Sequence, residues 1–268
     1  MKTRVLLFAA TLVLIASALY AHDLFIKLDS YFLKPDSEIR VPILNGTFML
    51  SENSVTADRV ADVSMVSPDG ISHPGTEAWN AAADTTYLTL QIGRAGTYVL
   101  GISTRPRLIE LDAESFNSYL QIEGNPDMLE VRRATGKLDS DAVERYSKHV
   151  KAVFQVGDAR TTAWDRVLGY PAEVVPLTNP YELAVGDEFA VRCLVRGEPV
   201  ANQMAIVGGE RDGGAVEERV ARTDENGVVR LVVDGAGKWY VKFIHMVETE
   251  EEGVDYESNW ATLSFEVK

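Results

Sequence analysis

The chain has 268 residues, with 26 Lys+Arg against 40 Asp+Glu and a net charge of −14. So acidic a surface repels nucleic acid and anionic lipid and draws cations, which argues against a nucleic-acid partner. Cys193 is the only cysteine, so no intramolecular disulfide exists, and stability rests on a core built from the 46% hydrophobic residues.

Lys2 and Arg4 precede an apolar run from Val5 to Leu19, broken only by Thr11 and Ser17. A short positive region, an apolar run and small residues ahead of a cut site make a secretory signal. The run falls short of the roughly 20 residues that span a bilayer. Two cut sites fit. Cleavage after Ala18 leaves Leu19 first, and cleavage after Ala21 leaves His22 first. Residues 1–21 are therefore expected to be a signal peptide and the remainder a periplasmic protein without a membrane span. Its net charge is −16 once Lys2 and Arg4 are removed.

Leu24–Leu28 and Ile39–Leu44 read as strands around a turn at Lys34-Pro35-Asp36-Ser37, with Pro42 pointing to a sheet edge. Val63–Ser67 and Ile71 flank Pro68-Asp69-Gly70, a hairpin signature. Tyr87–Ile92 and Thr97–Ile102 flank Gly93–Gly96, a second one. Residues 22–110 are thus expected to form an antiparallel β-sandwich. Residues 111–156 change period. Phe116, Tyr119 and Leu120 share a helical face. Asp141-Ala142-Val143-Glu144 resembles a capping box opening a helix to about Phe154, whose apolar face would be Ala142, Tyr146, Val150, Val153 and Phe154.

Residues 157–170 are polar and read as a linker. Beyond them, Phe189, Val191, Cys193 and Val195 alternate, as do Trp239, Val241, Phe243 and His245. Ala261 to Val267 alternate as a last strand. Residues 171–268 are therefore expected to form a second sandwich. The predicted fold is mainly β: two antiparallel β-sandwiches joined by a short helical segment. Alternation places Cys193 in the core as a small hydrophobe.

The histidines are His22, His73, His149 and His245, and none is spaced as in a zinc finger or an HExxH helix. If His22 became the first residue, its α-amine, with an ordinary pKa near ~7.7–8.0, and its imidazole would chelate one ion. Nitrogen donors of this kind suit Cu(II) or Ni(II). His245 ends a strand that runs into an acidic stretch containing Glu248, Glu250, Glu251, Glu252 and Asp255. The candidate metal ligands are thus His22, His245, Glu248 and Asp255. No nucleophile elbow, carboxylate pair or phosphate loop stands out, so no enzyme is predicted.

Ala21-His22-Asp23 with Tyr31-x-Leu33-Lys34-Pro35 resembles the start of a bacterial domain-of-unknown-function family. Its members are often labelled periplasmic components of cobalt/nickel ABC transport systems. Glu144–Lys148, Glu173-Val174-Val175-Pro176, Gly197-Glu198-Pro199-Val200, Thr223-Asp224-x-x-Gly227 and Tyr256-Glu257-Ser258-x-Trp260 carry the resemblance through the chain. It implies cleavage before His22 and a C-terminal module like transthyretin or immunoglobulin. The family's frequent glycine after the proline is here Asp36.

The expected function is periplasmic capture of a divalent transition metal (Ni, Co or Cu) for an ABC or ECF-type transporter in the inner membrane. The alternative is an Ig-like binding or adhesion module for a protein or glycan, without metal. An N-terminal-histidine copper oxygenase ranks last, because the sequence displays neither a flat substrate face nor a second brace histidine.

Overall fold

The computed structural model describes residues 22–268, and the expected signal peptide lies outside them. The chain is mainly β, and its strands fall into sheets of five, ten and four. In the five-stranded sheet, Asp23–Ile26, Ser37–Gly46, Thr86–Ile92 and Trp79–Ala81 lie in that spatial order, with Ser51–Asn53 also paired to Ser37–Gly46. The four-stranded sheet comprises Ala172–Pro176, Glu188–Val195, Glu198–Pro199 and Val228–Val232.

The ten-stranded sheet takes strands from both halves of the sequence. Its main path runs Gly214–Arg222, Met204–Arg211, Gly237–Glu248, Tyr256–Val267, Ala142–Val156, Gly96–Thr104, Val60–Ser67 and Gly70–Ser72. The smaller sheets cover its two faces. On one face, the Thr262 and Ser264 hydroxyls donate to the carbonyls of Leu24 and Ile26, at 3.0 and 2.5 Å. On the other, the Phe265 ring meets Phe189 at 4.6 Å and Lys151 meets Glu173 at 2.9 Å.

The largest departure from the sequence reading is residues 142–156. The predicted helix is a 15-residue strand, pairing parallel with Tyr256–Val267 and antiparallel with Gly96–Thr104. Every residue from Ser147 to Val156 is buried, because sheets lie on both faces. A strand covered twice loses its polar-apolar alternation, and its apolar residues then fall by chance at helical spacing. The capping-box Glu144 is consequently a buried strand residue. It also follows that the two expected sandwiches share one sheet rather than being linked by a helix.

Two helices do occupy the middle of the chain. Ala113–Ile122 buries the predicted face of Phe116, Tyr119 and Leu120, and the Asp112 carboxylate caps it, accepting from Ser115 N at 2.7 Å. Pro126–Ala134 follows it and was not foreseen. Both pack through Phe116, Tyr119, Leu120 and Met128 onto Ile244, Tyr256 and Trp260.

The Gly93–Gly96 connection also differs from expectation. Thr86–Ile92 belongs to the five-stranded sheet and Gly96–Thr104 to the ten-stranded one, so the loop crosses between sheets. Pro42 lies in a strand paired on both sides. Its carbonyl accepts from Lys27 N at 3.1 Å just beyond the end of the first strand, where a missing N–H is tolerated. The Pro68-Asp69-Gly70 hairpin is present, as is the buried Cys193, whose thiol burial pushes up to about 12. The supposed linker carries a 3₁₀ turn at Thr162–Asp165 and is held to the sheet by Glu173.

Candidate functional site

His22 heads the first strand of the five-stranded sheet. Its Nε2 lies 3.3 Å from an oxygen of Glu52, the middle residue of the adjoining Ser51–Asn53 strand. Its backbone carbonyl accepts from the Lys148 ammonium, which also reaches Asn45 Oδ1 at 3.3 Å. Asp23, the next residue, is turned inward and paired with Lys242.

The sheet register separates His22 from the second expected ligand. Residues paired across a ladder point to the same face. Lys148 pairs with Trp260, and Trp260 with Ile244, so these lie on the face that His22 touches through Lys148. Ser147 pairs with Asn259, and Asn259 with His245, so His245 lies on the opposite face. His22 and His245 therefore cannot share an ion across the sheet between them. His245 instead donates through Nδ1 to Gln203 Oε1 at 3.1 Å. Burial, reinforced by the Arg196 charge, holds its pKa below the usual range.

The acidic stretch beyond His245 is also engaged elsewhere. Glu248 pairs with Lys137 at 2.6 Å, and Glu251 with Arg145 at 2.5 Å. Asp255 accepts from the backbone N–H of Val143 at 2.8 Å. These carboxylates fasten the hairpin to the start of the central strand and to the turn ahead of it. The four expected ligands are thus dispersed. Among the described residues, no group of three or more His, Cys, Asp and Glu side chains is gathered as for a metal.

His22 borders a cleft of about 390 Å³. Its cations are Arg59, Arg107 and Lys148, its walls include Leu24, Val55 and Ile109, and Tyr146 adds an aromatic surface. Among the described residues lining it, none is Asp or Glu. Lys148 is buried and sits 5.3 Å from the Trp260 ring. Burial pushes its ammonium down to about 8, with nearby Asp23 drawing it back up. Sequence reading passed over these cations, because they come from three separated segments and Lys148 was placed on a helix.

A second cleft, of about 650 Å³, is bordered by Ser147, Arg145, Arg196 and Glu257. Ser147 Oγ lies 3.0 Å from His149 Nε2, and Ser103 Oγ 2.9 Å from Nδ1. Burial pushes His149 down to about 4, and a hydroxyl stands where a catalytic triad has a carboxylate. This histidine is a hydrogen-bonded core residue. His73 pairs in the open with Asp62 at 3.0 Å.

Over 92% of its length the chain is similar to the crystal structure of Salmonella alpha-2-macroglobulin reacted with methylamine, at 12% identity and a TM-score of 0.25; it spans 15% of that protein. Over 91% it is similar to a tetra-tandem repeat in the extending region of a large adhesion protein, at 12% identity and 0.25, spanning 49% of it. Over 89% it is similar to a two fibronectin type-III domain segment from chicken tenascin, at 12% identity and 0.20, spanning 97% of it. Values this low transfer none of these proteins' properties to this chain. Among curated proteins, none matches the sequence. The match that does assign the chain covers residues 19–247, and by it the protein belongs to DUF4198, a domain of unknown function.

Proposed function

We propose that this is an exported, non-enzymatic protein that captures a divalent transition metal at the His22 end of its fold and serves metal uptake. The observation that supports the reading is the pairing of the His22 imidazole with the Glu52 carboxylate at 3.3 Å. Cleavage between Ala21 and His22 would add the α-amine, giving amine, imidazole and carboxylate donors to one ion. That donor set fits Ni(II), Co(II) or Cu(II). His245, Glu248 and Asp255 take no part. A transporter in the inner membrane would be the recipient.

Calorimetric titration of the chain beginning at His22 with Ni(II), Co(II) and Cu(II) tests the reading. Micromolar or tighter binding is expected for at least one metal. It should weaken by more than about 100-fold in His22→Ala, since even outer-shell losses cost 10–100-fold. His245→Ala should bind as the parent does. Absence of binding, or binding indifferent to His22→Ala, overturns the reading and leaves a metal-free module for a protein or glycan.

A further inference from the structure

Buried cations in this chain are, as a rule, satisfied. Arg132, only 1% exposed, donates to Asn117 Oδ1, the Tyr256 hydroxyl and the carbonyls of Lys137 and Ser140, at 2.6–2.9 Å. Lys151 pairs with Glu173, and Lys242 with Asp23.

Arg59 departs from that rule. It lines the cleft beside His22 and is 8% exposed, and its buried Nη1 has no hydrogen-bond partner among the described residues. Its guanidinium lies 5.4 Å from the Tyr146 ring, and burial lowers its pKa. Lys148, on the same cleft, is held by two neutral oxygens, those of His22 and Asn45. Among the described residues, the Arg107 guanidinium forms an ion pair only with Asp58, at 3.6 Å and largely in solvent. Three cations thus converge on one concavity, two of them buried with no carboxylate among the described residues in hydrogen-bonding contact, in a chain whose net charge is −14. A buried charge without a directly paired counter-ion is unfavourable, and an anion entering the cleft would relieve it. The volume lies within the range of small-molecule sites. The apolar walls match a ligand with a hydrocarbon body, and the planar guanidinium matches a carboxylate.

We propose that this cleft binds a small organic carboxylate, its anionic end on Arg59 and its body against Tyr146, Leu24 and Ile109. The site stands independently of metal at His22, so the test uses metal-free protein with chelator present. Succinate, butyrate and benzoate would be titrated calorimetrically, with inorganic phosphate alongside. At least one carboxylate should bind, and more tightly than phosphate. Arg59→Gln should weaken it by roughly 30-fold or more, as expected for a desolvated charge partner. Arg107→Gln, at a solvent-exposed position, should weaken it about threefold. The proposal is overturned if no carboxylate binds, if phosphate binds as tightly, or if a folded Arg59→Gln binds as the parent does. Should Arg59→Gln fail to fold, an Arg107→Gln protein with unchanged affinity overturns it.

Discussion

Glu144 sits where the central strand meets the first helix. Its Oε1 accepts from Tyr119 at 3.0 Å and from Ser258, while Oε2 is buried without a partner among the described residues. Burial pushes its carboxyl up to about 7. The folded state therefore holds this proton where the unfolded chain, with a carboxyl near ~4.5, has lost it, so stability must fall as pH rises through that window. Glu144→Gln removes the loss. Measured by urea unfolding, the variant should gain roughly 3 kcal/mol on the parent between about pH 4.5 and 7.5. A constant difference across those pH values would contradict the assignment. Some residue roles were legible from the start. Cys193 alternated into the core, and the turn at Lys34-Pro35-Asp36-Ser37 is where Asp36 takes a left-handed φ of 51°. The role of Arg59 was not legible, because Ala57-Asp58-Arg59 reads as polar loop and only tertiary packing buries it.

At the scale of elements, the Ala142–Val156 strand decides the topology, and its sequence points elsewhere. Val143, Val150, Val153 and Val156 favour a strand, yet the apolar spacing and the Asp-x-x-Glu start favour a helix. Pairing with Tyr256–Val267, over 100 residues distant in sequence, settles the conflict. The same strand carries Lys151, whose ion pair with Glu173 is almost fully buried. Glu173 also accepts from the backbone N–H groups of Leu168, Gly169 and Tyr170, at 2.7–3.0 Å. The pair thereby ties the 157–170 connection to the sheet. Lys151→Met leaves that carboxylate buried without its counter-ion, and should cost about 3–5 kcal/mol in denaturant unfolding. A loss below about 1 kcal/mol would mean that water or rearrangement compensates the charge. The hairpin and inter-sheet readings of Gly93–Gly96 were indistinguishable in sequence, because a short glycine loop suits both.

For the molecule as a whole, composition and alternation were enough to give a mainly β fold without disulfides. They could not show that strands from both ends of the sequence join in one ten-stranded sheet, since that depends on long-range pairing. The sheet also explains why the expected metal ligands part company: it places His22 and His245 on opposite faces. What remains at the His22 end is a carboxylate-paired histidine beside a cationic cleft. The most direct test of that end as a metal site compares two chains in Ni(II) titrations, one beginning at His22 and one at Leu19. Tighter binding by the first is expected, by about tenfold or more, because only there do the terminal amine and the imidazole belong to one residue. Equal affinities would contradict it.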